Sequence, residues 1–171
     1  MQWYLVHTRP RQEQRALDNL THQGYPCYLP LLATDKLRQG ALTLVREPLF
    51  SRYLIICLET SLTGKSWTPI RSTLGVSRLV SFGGEPARVD AALIEALREQ
   101  DHLLVEQPQR LFHPGDRVQI RQGPFAGLEA IYQMPSGENR AMVLIEILSK
   151  PSKLMVEPAN LRRLDPHEAR Q

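Results

Sequence analysis

The run WYLVHTRPRQEQRAL, residues 3–17, decides the fold of the N-terminal half, because it places a strand directly before a helix. Residues 3–8 are apolar and aromatic, as in a strand. Residues 10–23 follow a helical pattern: proline suits a first helical turn, Gly24 follows the segment, and Ala16, Leu17 and Leu20 share one face. A β-α start is therefore predicted.

The rest of the first hundred residues predicts short strands and two further helices. The predicted elements are extended chain at 26–33, hairpin strands at 34–37 and 42–46 around a tip at 38–41, a buried strand at 53–59, a short helix at 67–73, a strand at 76–82 and a helix at 90–100. Asp90 caps the last helix, and Leu93, Ile94 and Leu97 face inward. This order predicts an α+β sandwich of helices on an antiparallel sheet.

The pattern changes after residue 101. Residues 102–112 lose periodicity and contain Pro108, which indicates a linker. Short strands separated by Gly and Pro then predict a small β-barrel; they lie at 117–121, 128–133, 140–148 and 153–157. The predicted organisation is an N-terminal domain at 1–101, the linker, a barrel domain at 113–164 and a polar tail at 165–171.

Composition excludes several protein classes. The 171 residues contain 42% hydrophobic residues, enough for a packed core, and no apolar run approaches the roughly 20 residues of a membrane helix. No signal peptide is recognised, so a soluble, cytoplasmic protein is expected. Cys27 and Cys57 lack partners at metal-ligand spacing and are expected to be buried, reduced thiols, with no metal or cofactor.

Charge and motif content argue against catalysis and against tight DNA binding. The net charge of +3 lies wholly in residues 1–100, while residues 101–171 are neutral, which fits weak, local contact with nucleic acid. The five histidines are scattered, and no Gly-rich phosphate loop or nucleophile elbow is present. The chain is therefore not expected to be an enzyme.

Several stretches together resemble the NusG family. FHPGDRVQIRQGPFAGLEAIY at 112–132 resembles its KOW motif, and four stretches resemble its N-terminal domain, called NGN: WYLVHTRPRQEQRAL at 3–17, REPLFSRYLII at 46–56, SWTPIRSTLGV at 66–76 and FGGEPARV at 82–89. The EPLF-x-x-YL string is most similar to the specialised RfaH-type paralogues, whereas residues 66–67 and 123–125 look more like the housekeeping form. The resemblance implies an NGN sandwich linked to a KOW β-barrel.

The resemblance assigns a docking surface on RNA polymerase. It implies that an apolar face binds the clamp helices of the largest catalytic subunit; the matching positions are Leu49, Phe50, Tyr53 and Phe82. From the residues alone, these could be ordinary core side chains. A strand-loop junction after Pro48 could instead leave Leu49 and Phe50 exposed, and an exposed apolar patch marks a partner surface.

A basic segment is expected to meet the non-template DNA strand. Arg11 and Arg15 are four residues apart and so are predicted on one helix face, where they could contact phosphates. Leu74 and Pro10 stand where the RfaH type carries basic residues, which implies altered sequence specificity. The candidate DNA-binding residues are Arg9, Arg11, Gln12, Arg15 and Thr73.

The resemblance also implies an ion pair between Glu47 and Arg140 that holds the KOW region against the docking face. In RfaH the closed KOW region is an α-helical hairpin, and residues 140–149 here could be helical. Pro124 and Pro151 fall within the two stretches of such a hairpin, and an interior proline costs about 3 kcal/mol in a helix. The β-barrel is therefore expected as the default, with an α-helical hairpin packed on the N-terminal domain as the alternative.

The resemblance implies a monomeric elongation and antitermination factor that suppresses pausing and acts operon by operon, as RfaH does. Its KOW domain would recruit the small-subunit ribosomal protein also called NusE, or the terminator Rho, through Phe125, Ile147 and Leu148. Two alternatives stay open: a housekeeping NusG with a role in Rho-dependent termination, and a KOW-type ribosome- or RNA-binding protein.

Overall fold

The computed structural model describes residues 1–106, 118–120, 131–132, 134, 136–149 and 161–163. The strands are β1 (Gln2–Thr8), β2 (Cys27–Tyr28), β3 (Leu31–Arg38), β4 (Ala41–Pro48), β5 (Tyr53–Leu58), β6 (Val76–Leu79), β7 (Ser81–Phe82), β8 (Glu85–Pro86), β9 (Arg88–Val89), β10 (Val118–Ile120) and β11 (Leu161–Arg163). The helices are α1 (Glu13–His22), α2 (Ala91–Glu106), α3 (Gly137–Ser149) and a 3-10 turn at Thr68–Ser72.

The N-terminal half is built on an antiparallel sheet in the order β2-β5-β1-β6, with β9 also paired to β1. Leu5 lies opposite Ile55, and alternate side chains of both strands point to opposite faces. One face joins Leu5 and Ile55 to α2, and the other joins neighbouring strand residues to α1. The predicted α+β class with an antiparallel sheet is confirmed.

Helix α1 begins later than its sequence pattern predicts. Arg11 has a left-handed φ of 59°, and Gln12 precedes the first helical residue, Glu13. Arg11 therefore does not share a helix face with Arg15, and that prediction is wrong. Helix α2 is capped as predicted, since the Ala92 N–H donates to Asp90 Oδ1 over 2.9 Å.

Two other predicted elements extend further than expected. Helix α2 continues to Glu106, six residues beyond the predicted end and into the segment expected to be a linker. Strands β3 and β4 form a hairpin that turns at Gln39 and Gly40 and makes a two-stranded sheet of its own. Within the described ranges, no helix has both the length and the apolar character needed to cross a membrane.

The C-terminal half departs from the predicted barrel. Strand β10 falls within the predicted strand 117–121 and pairs with β11. The predicted strand at 140–148 is wrong, because these residues belong to helix α3, and Ile131 and Tyr132, expected in the strand at 128–133, are also helical. The predicted strand at 153–157 and the polar tail at 165–171 lie outside the described residues.

Tertiary packing explains why α3 is helical despite its β-branched residues. Ala141 and Leu144, three residues apart, insert into the apolar cluster beneath α2, so helical spacing buries them together. Ser136 precedes the helix, and its Oγ accepts a hydrogen bond from the Asn139 N–H over 3.4 Å. Pro151 follows the helix in sequence, where proline carries no interior penalty.

Candidate functional site

The four apolar residues predicted to form a docking surface belong to one cluster. Leu49 and Phe50 are members of the core cluster around Leu5, and Tyr53 and Phe82 are half-buried against it. The Tyr53 ring also packs on His7, with ring centroids 5.0 Å apart. We call these four residues the apolar patch.

The apolar patch is covered in this conformation. Leu49 and Phe50 are only 2% and 1% exposed, so the expectation that a strand-loop junction leaves them exposed is wrong here. The physical reason is that α3 packs over them, since Phe50 shares its cluster with Ala141 and Leu144. Two helical residues from the C-terminal half also belong to this cluster, namely Ile131 and Tyr132.

Arg140 is the polar anchor of α3. Its side chain is fully buried, and its Nε donates to the Leu49 carbonyl oxygen over 2.6 Å. Its Nη1 donates to the Met134 carbonyl over 2.7 Å, and its Nη2 lies 3.2 Å from Glu47 Oε1. The residues predicted to form an interdomain ion pair are therefore in contact, with two additional carbonyl bonds that the sequence did not predict.

Glu47 has two cationic partners. Lys36 Nζ lies 2.6 Å from Glu47 Oε2, while Arg140 binds the other carboxylate oxygen. Burial acts to raise the pKa of Glu47, but the hydrogen bonds and charges of Lys36 and Arg140 outweigh it and hold the pKa below its ordinary value. Burial lowers the pKa of Arg140, and Glu47 opposes that shift.

This arrangement predicts a pH dependence of the covered state. Because the folded pKa of Glu47 is lowered, its contribution is present above the ordinary value near 4.5 and is lost as pH falls through the folded pKa. Amide protection in α3, measured relative to the intrinsic exchange rate at each pH, should therefore fall in that acidic window. Glu47→Gln should remove this pH-dependent contribution. If α3 in the variant kept the full wild-type pH dependence of protection, the prediction would be contradicted.

Sequence reasoning missed a second contact between the two halves. Tyr132 is 4% exposed within the same cluster, beside half-buried Trp3 and Tyr28. The Tyr28 hydroxyl donates to the Asp101 carboxylate, and burial raises the pKa of Asp101 while this bond opposes the rise. No motif links these residues, which are far apart in sequence, so their proximity emerges only in the fold.

The candidate DNA-binding residues lie at the start of α1 and beside β6. A cavity of about 220 Å³ is lined by Arg9, Gln12, Arg15, Arg71, Ser72, Thr73, Leu74, Gly75 and Val76. Arg11 does not line it. Four of the five predicted residues are thus brought together, and Arg71 is an addition that the sequence analysis did not name.

Two of the lining residues are held by local contacts. Thr73 is 7% exposed, because its hydroxyl donates to the Pro69 carbonyl and accepts from Gln23 Nε2, each over 2.9 Å. Gly75 has a φ of 90°, and a Cβ at this position would lie 2.7 Å from the Ala16 nitrogen. Thr73 therefore acts in the local fold, while Leu74 is 59% exposed at the rim.

Trp67 and the predicted partner-surface residues of the C-terminal half have structural contacts or lie outside the described residues. Trp67 packs on Tyr4 with centroids 5.0 Å apart, and its Nε1 donates to the Glu59 carbonyl over 2.9 Å. Ile147 and Leu148 are half-buried on α3 and pack against the cluster that contains Phe50. Phe125 lies outside the described residues.

The described part of the chain offers no metal site. No group of three or more His, Cys, Asp or Glu residues there is arranged to hold an ion. Cys57 is a buried free thiol as expected, whereas Cys27 is a free thiol that is only half-buried. Burial raises the pKa of Cys27 to about 12 and also raises the pKa of Cys57. Both thiols are therefore protonated and poorly suited to nucleophilic or ligand chemistry near neutral pH.

A sequence model of one family, described as "Transcription termination factor nusG", matches residues 1–98, more than half of the chain. This chain belongs to the NusG family. NusG-family proteins are transcription factors.

Curated relatives agree with the family match along nearly the whole chain. "Transcription termination/antitermination protein NusG" of Thermus thermophilus is 24% identical over 175 residues, covering 92% of this chain and 95% of the relative. The Rickettsia conorii protein of the same name is 22% identical over 176 residues, covering 96% and 91%. A solved structure described as "Domain interaction in Thermotoga maritima NusG" has a TM-score of 0.43 and 22% identity, covering 72% of this chain and 74% of that chain.

Proposed function

We propose that this NusG-family chain is an elongation and antitermination factor that binds RNA polymerase through the apolar patch and suppresses pausing. The observation that supports the proposal is the burial of Phe50 beneath α3, a helix from the opposite end of the chain. Without α3, this side of the N-terminal half would present a contiguous apolar surface. Such a surface is typical of a protein-binding site.

The same observation favours an autoinhibited resting state of the RfaH type. Helix α3 covers the apolar patch, and Arg140 binds both Glu47 and the Leu49 carbonyl. Burying the Arg140 guanidinium costs desolvation energy that its ion pair with Glu47 largely only offsets, so the apolar contacts supply most of the holding energy. Polymerase binding would then select the uncovered conformation and shift the population toward it.

The clamp helices of the largest catalytic polymerase subunit are the proposed partner. A factor seated there would bridge the DNA cleft and favour the clamp state that supports elongation. Catalysis would remain with the polymerase, because the factor contributes only binding energy that differs between polymerase states. Release of α3 would also expose Ile147 and Leu148, which with Phe125 are the proposed surface for NusE or Rho.

Pause lifetimes on a reconstituted elongation complex test this function. Addition of the protein should shorten the pause lifetimes, and the protein itself should hydrolyse no nucleotide. Unchanged pause lifetimes at concentrations that saturate binding would contradict the proposal.

A housekeeping role is the second candidate, supported by the names of the relatives, which include termination. Occupancy of the factor across the genome separates the two. Presence at most transcribed genes would indicate a housekeeping factor, and presence at a few long operons would indicate an RfaH-like specialist.

The basic cavity beside α1 is the proposed contact for the non-template DNA strand. Arg9, Gln12 and Arg15 line one opening, where guanidinium groups can meet phosphates and the Gln12 amide can meet a base edge. The DNA would be single-stranded, held between the polymerase and α1. Charge alone would give only weak binding, so polymerase contact would provide most of the affinity.

Arg15→Gln should reduce the salt dependence of this contact. Loss of one phosphate contact on a single strand lowers the slope of log affinity against log salt by about 0.7. Binding of a fluorescent single-stranded oligonucleotide to the factor–polymerase complex across a salt series measures it. The matched control is Arg88→Gln, an exposed arginine on β9 outside the cavity, and an equal change in both variants would contradict the assignment.

A further inference from the structure

Glu13 is buried although it lies among the basic residues proposed to contact DNA at the start of α1. It is 8% exposed, whereas its neighbours Gln14 and Arg15 are exposed. A carboxylate in a first helical turn interacts favourably with the helix dipole even when it is exposed, so the dipole does not require burial. Its burial therefore indicates a tertiary contact.

That contact is with the turn that carries the apolar patch. The Arg52 N–H donates to Glu13 Oε1 over 2.8 Å, across 39 residues of sequence. Arg52 has a left-handed φ of 69°, which costs an L-residue about 1 to 2 kcal/mol. Such a conformation persists only where surrounding contacts fix it.

Within the described part of the chain, Arg52 makes three hydrogen bonds, which run to the end of β1 and the first residue of α1. Besides the bond to Glu13, its Nε donates to the Thr8 carbonyl over 3.3 Å, and its own carbonyl accepts from the Thr8 N–H over 2.8 Å. Only the bond to Glu13 comes from a side chain of α1. Removing it frees the Arg52 amide while leaving both contacts with Thr8.

The residue before Arg52 receives the covering helix. The Ser51 N–H donates to the Gly137 carbonyl at the start of α3 over 3.1 Å. A side chain at position 137 would collide with the Ser51 hydroxyl, so α3 approaches this turn closely. Two successive amides, those of Ser51 and Arg52, are thus bound to α3 and to α1 respectively.

We propose that Glu13 is a positioning residue: by fixing Arg52 it sets the geometry of the 49–53 turn on which α3 rests, and so ties the covering helix to the segment proposed to contact DNA. The inference rests on the proposed covering role of α3 and does not depend on polymerase docking. A charged acceptor is the stronger partner for a buried amide. Loss of the Glu13 carboxylate therefore weakens the packing of α3 on the 49–53 turn more than it weakens the sheet.

Amide hydrogen exchange of the intact chain tests the role of Glu13. In Glu13→Ala, exchange of the α3 amides should rise about tenfold, while the β1 and β5 amides keep their wild-type rates. Glu13→Gln keeps an oxygen acceptor for Arg52 and should stay within about threefold of wild type. Gln14→Ala, which removes an exposed neighbour whose side chain donates to Asp18 within α1, is the matched control and should not change α3 exchange.

Three results would overturn the proposal. The first is unchanged α3 exchange in Glu13→Ala. The second is equal acceleration in α3, β1 and β5, or loss of the fold, which would assign Glu13 a general stabilising role. The third is a Glu13→Gln variant that behaves like Glu13→Ala. Because no polymerase is present, these outcomes are independent of whether the apolar patch binds it.

Discussion

Leu144→Asp should raise the affinity of the intact chain for core RNA polymerase by about a hundredfold. Leu144 is fully buried in the cluster that contains Phe50, and a carboxylate there would be buried without a partner. The cost of burying an unpaired charge, several kcal/mol, exceeds what a short helix gains by packing. Helix α3 should therefore leave the apolar patch, and a closed population of about 99% would become mostly open.

Two measurements on the Leu144→Asp variant check this expectation. Loss of amide protection in α3 reports release, and titration of labelled protein with core polymerase reports affinity. Met142→Asp is the matched control, because the same charge enters the same helix at a position that is 69% exposed. Release of α3 without any gain in affinity would show that the helix does not block the polymerase site.

Phe50→Ala should then lower the affinity of the opened chain by about a hundredfold. Large aromatic side chains at the centre of an interface commonly contribute 2 to 4 kcal/mol on truncation. The variant has to be compared within the Leu144→Asp background, since in the closed chain the loss of Phe50 also weakens the seat of α3. Measured in that background, the change reports the partner surface alone.

The control for Phe50 is Leu42→Ala on the β3–β4 hairpin. Leu42 is 76% exposed, so its truncation removes apolar surface without touching the apolar patch. Polymerase affinity should be unchanged in this control. If Phe50→Ala also left the affinity unchanged, the docking assignment would be wrong, even though the chain would remain a NusG-family protein.

The elements of the N-terminal half could be predicted from sequence because their signals are local. The apolar and aromatic residues of β1, the continuous apolar run of β5, and the helical spacing of Leu93, Ile94 and Leu97 each specify one secondary structure. Arg11 was misplaced because a left-handed residue just before a helix leaves no mark in the apolar pattern.

The C-terminal half could not be predicted in the same way. Residues 140–149 combine good helix formers with β-branched side chains, so local preference does not decide between helix and strand. The decision comes from contacts with Leu49, Phe50 and Glu47, about ninety residues away. The residues of the candidate site divide in the same way. The family resemblance predicted Glu47 and Arg140, whereas the contacts of Glu13 and Asp101 could be recognised only in the folded structure.

The double coordination of Glu47 makes the two sides of the closed interface unequal. When α3 departs, Lys36 still neutralises the Glu47 carboxylate, so the N-terminal half is left without an unpaired charge at Glu47. Arg140 instead loses a carboxylate and the Leu49 carbonyl together, and only water can replace them. The detached C-terminal segment is therefore stabilised more by a new partner than the N-terminal half is. This difference favours either the return of α3 to the apolar patch or the binding of the C-terminal segment to another molecule.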